Sequence, residues 1–151
     1  MTPLVTTREP ALLVGRLAGD FVRVRLPGPP HAAPGGDGGA RVRGEVDIAA
    51  GPFRASYEAT FAVEALGRLR DGLRALESAP DGAAVLCAVD AALVLEVRAN
   101  GEGAFVAEGT ARPNPARAHR LTFSIDLDPG DLRQMLRGLD RFLEGGRAAR
   151  P

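Results

Sequence analysis

Arg41-Val42-Arg43-Gly44-Glu45-Val46-Asp47-Ile48-Ala49-Ala50-Gly51-Pro52-Phe53-Arg54-Ala55-Ser56-Tyr57-Glu58-Ala59-Thr60-Phe61 decides the fold. Val42, Gly44, Val46 and Ile48 fall on one face of an extended chain, and Arg41, Arg43, Glu45 and Asp47 on the other. Ala50-Gly51-Pro52 turns the chain, after which Phe53, Ala55, Tyr57, Ala59 and Phe61 alternate with Arg54, Ser56, Glu58 and Thr60. Period-two patterning of this kind predicts two strands with one dry and one wet face. Sheets solvated on one side are antiparallel, so the stretch reads as a long hairpin.

Upstream, Ala11 to Leu26 reads as a second hairpin, turned at Gly19-Asp20, with Phe21 to Leu26 alternating. Between the two lies Pro27 to Gly39, too rich in Pro and Gly to pack and expected to be a mobile loop inside one domain. Downstream of Ala62 the period changes. Leu66, Leu69, Leu73 and Leu76 recur at helical spacing until Ala79-Pro80-Asp81-Gly82. Strands are predicted again over Ala84–Val89, Ala91–Arg98, Ala104–Thr110 and His119–Leu127. A final helix starts at Asp128-Pro129, with Asp131 in its first turn, where the helix dipole favours an anion. Its apolar stripe is Leu132, Met135, Leu136, Leu139, Phe142 and Leu143, and Gly145-Gly146 is expected to stop it.

These elements predict an α+β fold: a twisted antiparallel sheet of about six to eight strands with two amphipathic helices packed on one face. Residues 1–151 are expected to form a single domain, with 1–9, 27–40 and 146–151 disordered or mobile.

The chain has 151 residues, of which 45% are hydrophobic and 25% charged, an ordinary globular balance. Nineteen basic and nineteen acidic residues cancel, so no general attraction to nucleic acid or to an anionic membrane is expected. Every basic residue is an arginine, which with the abundant Ala and Gly is the mark of GC-rich codon bias. No apolar run reaches the ~18–20 residues of a membrane span, and the N-terminus lacks the pattern of a secretory signal, so a cytoplasmic location is expected.

Catalytic chemistry finds few candidates. Cys87 sits among apolar neighbours and is expected to be a buried structural thiol. His31 and His119 share no ligand spacing, so no metal site is expected, nor any cofactor. No serine stands in a nucleophile elbow, and Ser56 and Ser124 read as polar residues of a wet sheet face. Asp128 is assigned to a helix cap rather than to acid–base work, and pairs such as Glu96 and Glu108 read as solvated. Gly35 to Gly39 precedes a strand, so it cannot bring a helix N-terminus to a phosphate. Arg112, Arg117, His119 and Arg120 form a basic cluster without an acid: a solvated loop, a grip on a partner, or, with no aromatic residues interleaved, less naturally a nucleic-acid contact.

The remaining feature is the wet side of the sheet. On the single-sheet reading it gathers Arg41, Arg43, Arg54, Glu58, Arg98 and Asp126 among others. A rigid, mixed-charge face of that kind can recognise another protein, can be covered by a dimer mate, or can simply be the hydrated side of the fold.

The order of motifs carries a resemblance. Arg43-Gly44-Glu45-Val46, Gly51-Pro52-Phe53-Arg54-Ala55 and the helix beginning Glu64-Ala65-Leu66-Gly67-Arg68-Leu69 come first. The strand Leu93-Val94-Leu95-Glu96-Val97 follows, then the closing Leu121-Thr122-Phe123-Ser124-Ile125-Asp126-Leu127-Asp128-Pro129-Gly130-Asp131-Leu132. From about Arg41 to Leu143 the chain resembles the WapI-family immunity proteins of bacteria and their relatives. The resemblance implies a cytoplasmic, non-enzymatic protein that neutralises a cognate toxin domain, by occlusion of the toxin's cleft. It transfers no catalytic residue, and no contact residue either, because specificity differs from pair to pair. The expected contacts on this chain are Arg41, Arg43, Arg54, Glu58, Arg98 and Arg120. The competing readings are a small-molecule-binding or enzymatic domain, with a pocket between sheet and helices, and a structural homodimer.

Overall fold

The computed structural model describes residues 11–26 and 40–148. Of the segments expected to be mobile, 1–9, 27–39 and 149–151 lie outside the described residues, as does His31. Among the described residues the fold is α+β, with eight antiparallel strands and two α-helices. The strands are β1 (Leu12–Gly15), β2 (Phe21–Arg25), β3 (Arg41–Ala50), β4 (Phe53–Ala62), β5 (Ala83–Cys87), β6 (Leu93–Ala99), β7 (Phe105–Ala111) and β8 (Leu121–Leu127). Helix α1 (Val63–Ser78) joins β4 to β5, and α2 (Pro129–Ala148) follows β8.

The strands divide into two four-stranded sheets, ordered β1-β2-β3-β4 and β5-β6-β7-β8. Each sheet is a meander of neighbours in sequence, and most closures span short loops; the long one joins β2 to β3 across residues 26–40. The break comes where α1 intervenes. Its stripe of Leu66, Leu69, Leu73 and Leu76 is buried, and Gly72 brings the helix so close to β5 that a Cβ there would stand 2.9 Å from the Ala84 side chain. The inner faces of both sheets and the apolar stripes of both helices fill one core, which includes Val46, Phe61, Leu95, Ile125, Leu69 and Met135. Gly109 on β7 is part of this fit: a Cβ there would meet Phe123 at 2.5 Å and Leu95 at 2.9 Å.

The helix starts are satisfied by different means. The first N–H of α1, on Val63, donates to Ala40 O at 2.9 Å. At α2 the cap is reciprocal: the Asp131 N–H donates to Asp128 Oδ1 at 2.7 Å, and the Asp128 N–H donates to Asp131 Oδ2 at 2.9 Å. This is the geometry of a capping box with Asp in the place of the usual Glu. Helix α2 runs past Gly145-Gly146 to Ala148. Glycine costs a helix about 1 kcal/mol but does not forbid it, and no proline follows until Pro151.

Cys87, Phe53 and Leu17 are apolar side chains that stand exposed. Cys87 is exposed, not buried: Ala84 and Leu86 take the inward positions of β5, so Val85 and Cys87 point out. Phe53, inward by parity, is 60% exposed at the start of edge strand β4. Leu17, in the β1–β2 turn, is 53% exposed.

Candidate protein-binding face

The outer face of the first sheet is ordered by register. Arg25, Glu45 and Glu58 form one row across β2, β3 and β4, and Arg23, Asp47 and Ser56 the next. Asp47 is the hub. Its carboxylate accepts from the Ser56 hydroxyl, from Arg25 Nη2 at 3.0 Å and from Arg23 Nη2 at 3.3 Å. Burial pushes its pKa upward, but the Ser56 hydroxyl and the two arginines outweigh that and hold the carboxyl below its ordinary range. Arg23 also lies over the Phe21 ring, 5.5 Å from its centroid.

Around this hub stand four of the expected contacts. Arg43 Nη2 meets Glu58 Oε1 at 2.8 Å, with both side chains mostly exposed. Arg54 folds its Nη1 onto the carbonyls of Gly51 and Phe53, each at 3.0 Å. The side chain of Arg41 is exposed and meets no carboxylate among the described residues. On this face arginines outnumber carboxylates: Arg23, Arg25, Arg41, Arg43 and Arg54 against Glu45, Asp47 and Glu58.

The single-sheet reading had joined these residues to Glu96, Arg98, Glu108 and Asp126, which the structure places on the second sheet. There Glu96 and Glu108 stand opposite one another, with Val94, Thr110 and Thr122 in one flanking row and Arg98, Val106 and Asp126 in the other. Arg98 is paired with Glu108, and its Nε lies 3.9 Å from Glu96. This second face has more carboxylates than arginines. Arg120 belongs to neither face; it is exposed in the loop before β8. The six expected contacts therefore do not share one surface: Arg41, Arg43, Arg54 and Glu58 are together, and Arg98 and Arg120 are apart from them. Local alternation tells which side of a strand a residue occupies, not which strands pair across a helix.

Sequence reasoning did not find Arg16. It links the β1–β2 turn to the α2 cap, pairing with Asp128 and approaching Asp131 Oδ1 with its Nε at 3.3 Å. The Asp131 hydrogen bond and charge, with the charge of Asp128, raise the Arg16 pKa. Asp128 is lowered, first by the hydrogen bond from the Asp131 backbone and further by Arg16. No local signal marks a pair 115 residues apart.

Among the described residues the core offers no convergent polar groups. Asp131 is the one buried charged or polar residue among the described residues, and its carboxylate is taken by the cap and by Arg16. Among the described residues no group of three or more His, Cys, Asp or Glu is placed to hold a metal, and no helix is long and apolar enough to cross a membrane.

No curated protein and no solved structure gives a significant match to the chain. The immunity protein WapI-like family does: its model matches residues 15–145, spanning both sheets and both helices, and the chain belongs to that family.

Proposed function

We propose that this chain is a non-enzymatic immunity protein that acts in the cytoplasm, binding a cognate toxin domain and blocking the toxin's active cleft. The observation that carries the reading, beside family membership, is the outer face of the first sheet. It is cross-linked through Asp47 and rich in arginines, of which Arg41, Arg43 and Arg54 stand exposed to a partner. Arg41, Arg43, Arg54 and Glu58 are its contacts, with Arg98 and Arg120 as outlying ones. Complementary charge on such a face speeds encounter and rejects wrong partners, while the buried centre of the interface sets residence time.

The test is a tagged pull-down from the source organism's lysate, washed with rising salt and read by mass spectrometry. The expected result is one stoichiometric partner with a toxic domain, whose toxicity disappears on adding the protein at equal concentration. A captured partner whose toxicity is unaffected would overturn the reading.

A further inference from the structure

Arginines on the strands and helices mostly end on carboxylates, as Arg25, Arg43, Arg74 and Arg98 do. The loop between β7 and β8 is different. From Gly109 to Ile125 the chain has no acidic residue, yet it carries Arg112, Arg117, His119 and Arg120. The loop is also built, not slack. The Asn114 side chain accepts from the Ala116 N–H at 2.9 Å, and its carbonyl accepts from the Arg117 N–H at 3.0 Å. Pro113 and Pro115 restrict the backbone on either side of Asn114. The Arg112 N–H donates to Ala92 O at 3.0 Å, anchoring the loop to the β5–β6 hairpin, and the Arg112 guanidinium closes on Pro115 O at 3.4 Å. Arg112 is thus spent within the loop. Arg117 and Arg120 are exposed and meet no carboxylate among the described residues.

Two guanidinium groups held on an ordered, acid-free loop give a cationic surface that needs little ordering on binding, and preorganisation is what converts contacts into affinity. Guanidinium matches carboxylate in a bidentate manner. The loop has no Phe, Tyr or Trp on which a base could stack, and the chain is neutral overall, which favours a protein partner over a nucleic acid. We propose that the β7–β8 loop is a docking site for an acidic surface of the protein partner, with Arg117 and Arg120 as its contact cations. The proposal rests on the protein-binding reading above for the class of partner, and its test uses neither the toxin nor the first sheet.

The experiment titrates the isotopically labelled full chain with a short peptide of alternating glutamate and serine at low salt, following backbone amides and arginine Nε–H groups by NMR. A single-stranded RNA of the same charge is run in parallel. The peptide is expected to shift residues 112–120 and the Arg117 and Arg120 side chains. In R117E/R120E its affinity should fall by about tenfold or more, and in R133E/R137E, the same charge change on α2, it should hold. Shifts centred elsewhere, or equal weakening by both double variants, would overturn the proposal. So would tighter binding of the RNA at the loop, which would mark it as a phosphate site. Each failure leaves toxin neutralisation through the first sheet separately testable.

Discussion

Glu45 and Glu58 stand directly opposite each other across the β3–β4 ladder, and a different arginine answers each: Glu45 shares Arg25 with Asp47, at 3.2 Å, and Glu58 meets Arg43 at 2.8 Å. Like charges in register destabilise a sheet, so the two arginines offset a repulsion built into the strand pair. Because Arg43 and Glu58 are mostly exposed, their attraction is screened. Arg43→Ala is therefore expected to change unfolding free energy by no more than about 0.5 kcal/mol in urea titration, while weakening partner binding. A large loss of stability would assign the arginine to the fold instead.

Asp47 is the opposite case. Its carboxylate serves the Ser56 hydroxyl and two arginines on a half-buried face. Asp47→Ala is expected to cost about 1–3 kcal/mol, since it strands charged donors, with Asp47→Asn between it and the wild type. The folded-state pKa lies below the unfolded one, so the carboxylate's contribution is full above the ordinary carboxylate range and lost as pH falls through the folded value. Wild type and Asp47→Asn should therefore converge in stability on acidification. A gap that persisted or widened at low pH would contradict the assignment.

The same sign holds at the head of α2. Asp128 is lowered chiefly by the Asp131 N–H bond, so its capping contribution is present at neutral pH and fades as pH drops below the ordinary carboxylate range. Asp128→Ala should lower Tm at neutral pH, with a difference from wild type that shrinks in acid. Equal Tm values at neutral pH would mean that the box does not hold the helix end.

The β5–β6 hairpin turns through Asp90 and Ala91, at φ 60° and 55°, closed by the Ala92 N–H donating to Val89 O at 3.2 Å. Both central residues are left-handed, which matches a type I′ turn, whose second position favours glycine. Alanine there carries about 1 kcal/mol of strain, and Ala91→Gly is expected to stabilise the chain by a similar amount in urea titration. Destabilisation would show that the alanine side chain packs usefully.

Tyr57 on β4 reaches across to the β5–β6 turn, where its hydroxyl donates to Ala92 O at 2.7 Å, and burial raises its pKa. That carbonyl also accepts from the Arg112 N–H, so it is not orphaned when the hydroxyl goes. Tyr57→Phe should then cost about 0.5–1.5 kcal/mol, the worth of one hydrogen bond. A larger loss would indicate that the hydroxyl sets how the two sheets meet.

Much of this architecture is legible in the chain. The alternation from Arg41 to Phe61 declares its buried face, the leucine spacing of α1 its stripe, and Asp128-Pro129 the start of α2. What escapes is everything set by distance. Whether β4 pairs with β5 depends on where α1 packs, and the close approach at Gly72 is invisible in local pattern. Cys87 lies in an all-apolar run, where parity has no polar residue to declare it. Phe53 has the right parity but lies at the start of an edge strand, where the core does not reach. The expected contacts were dispersed for the same reason: side of strand is local information, and membership of a sheet is not.

The most direct test of the account measures the equilibrium affinity of the captured toxin domain for the wild type and for R43E/R54E, with folding checked by circular dichroism and Tm. Reversing two charges on either side of Asp47 on the first sheet's outer face should weaken binding by about a hundredfold, because like-charge juxtaposition in an interface costs several kcal/mol. Unchanged affinity in a folded double variant would contradict the claim that this face holds the toxin.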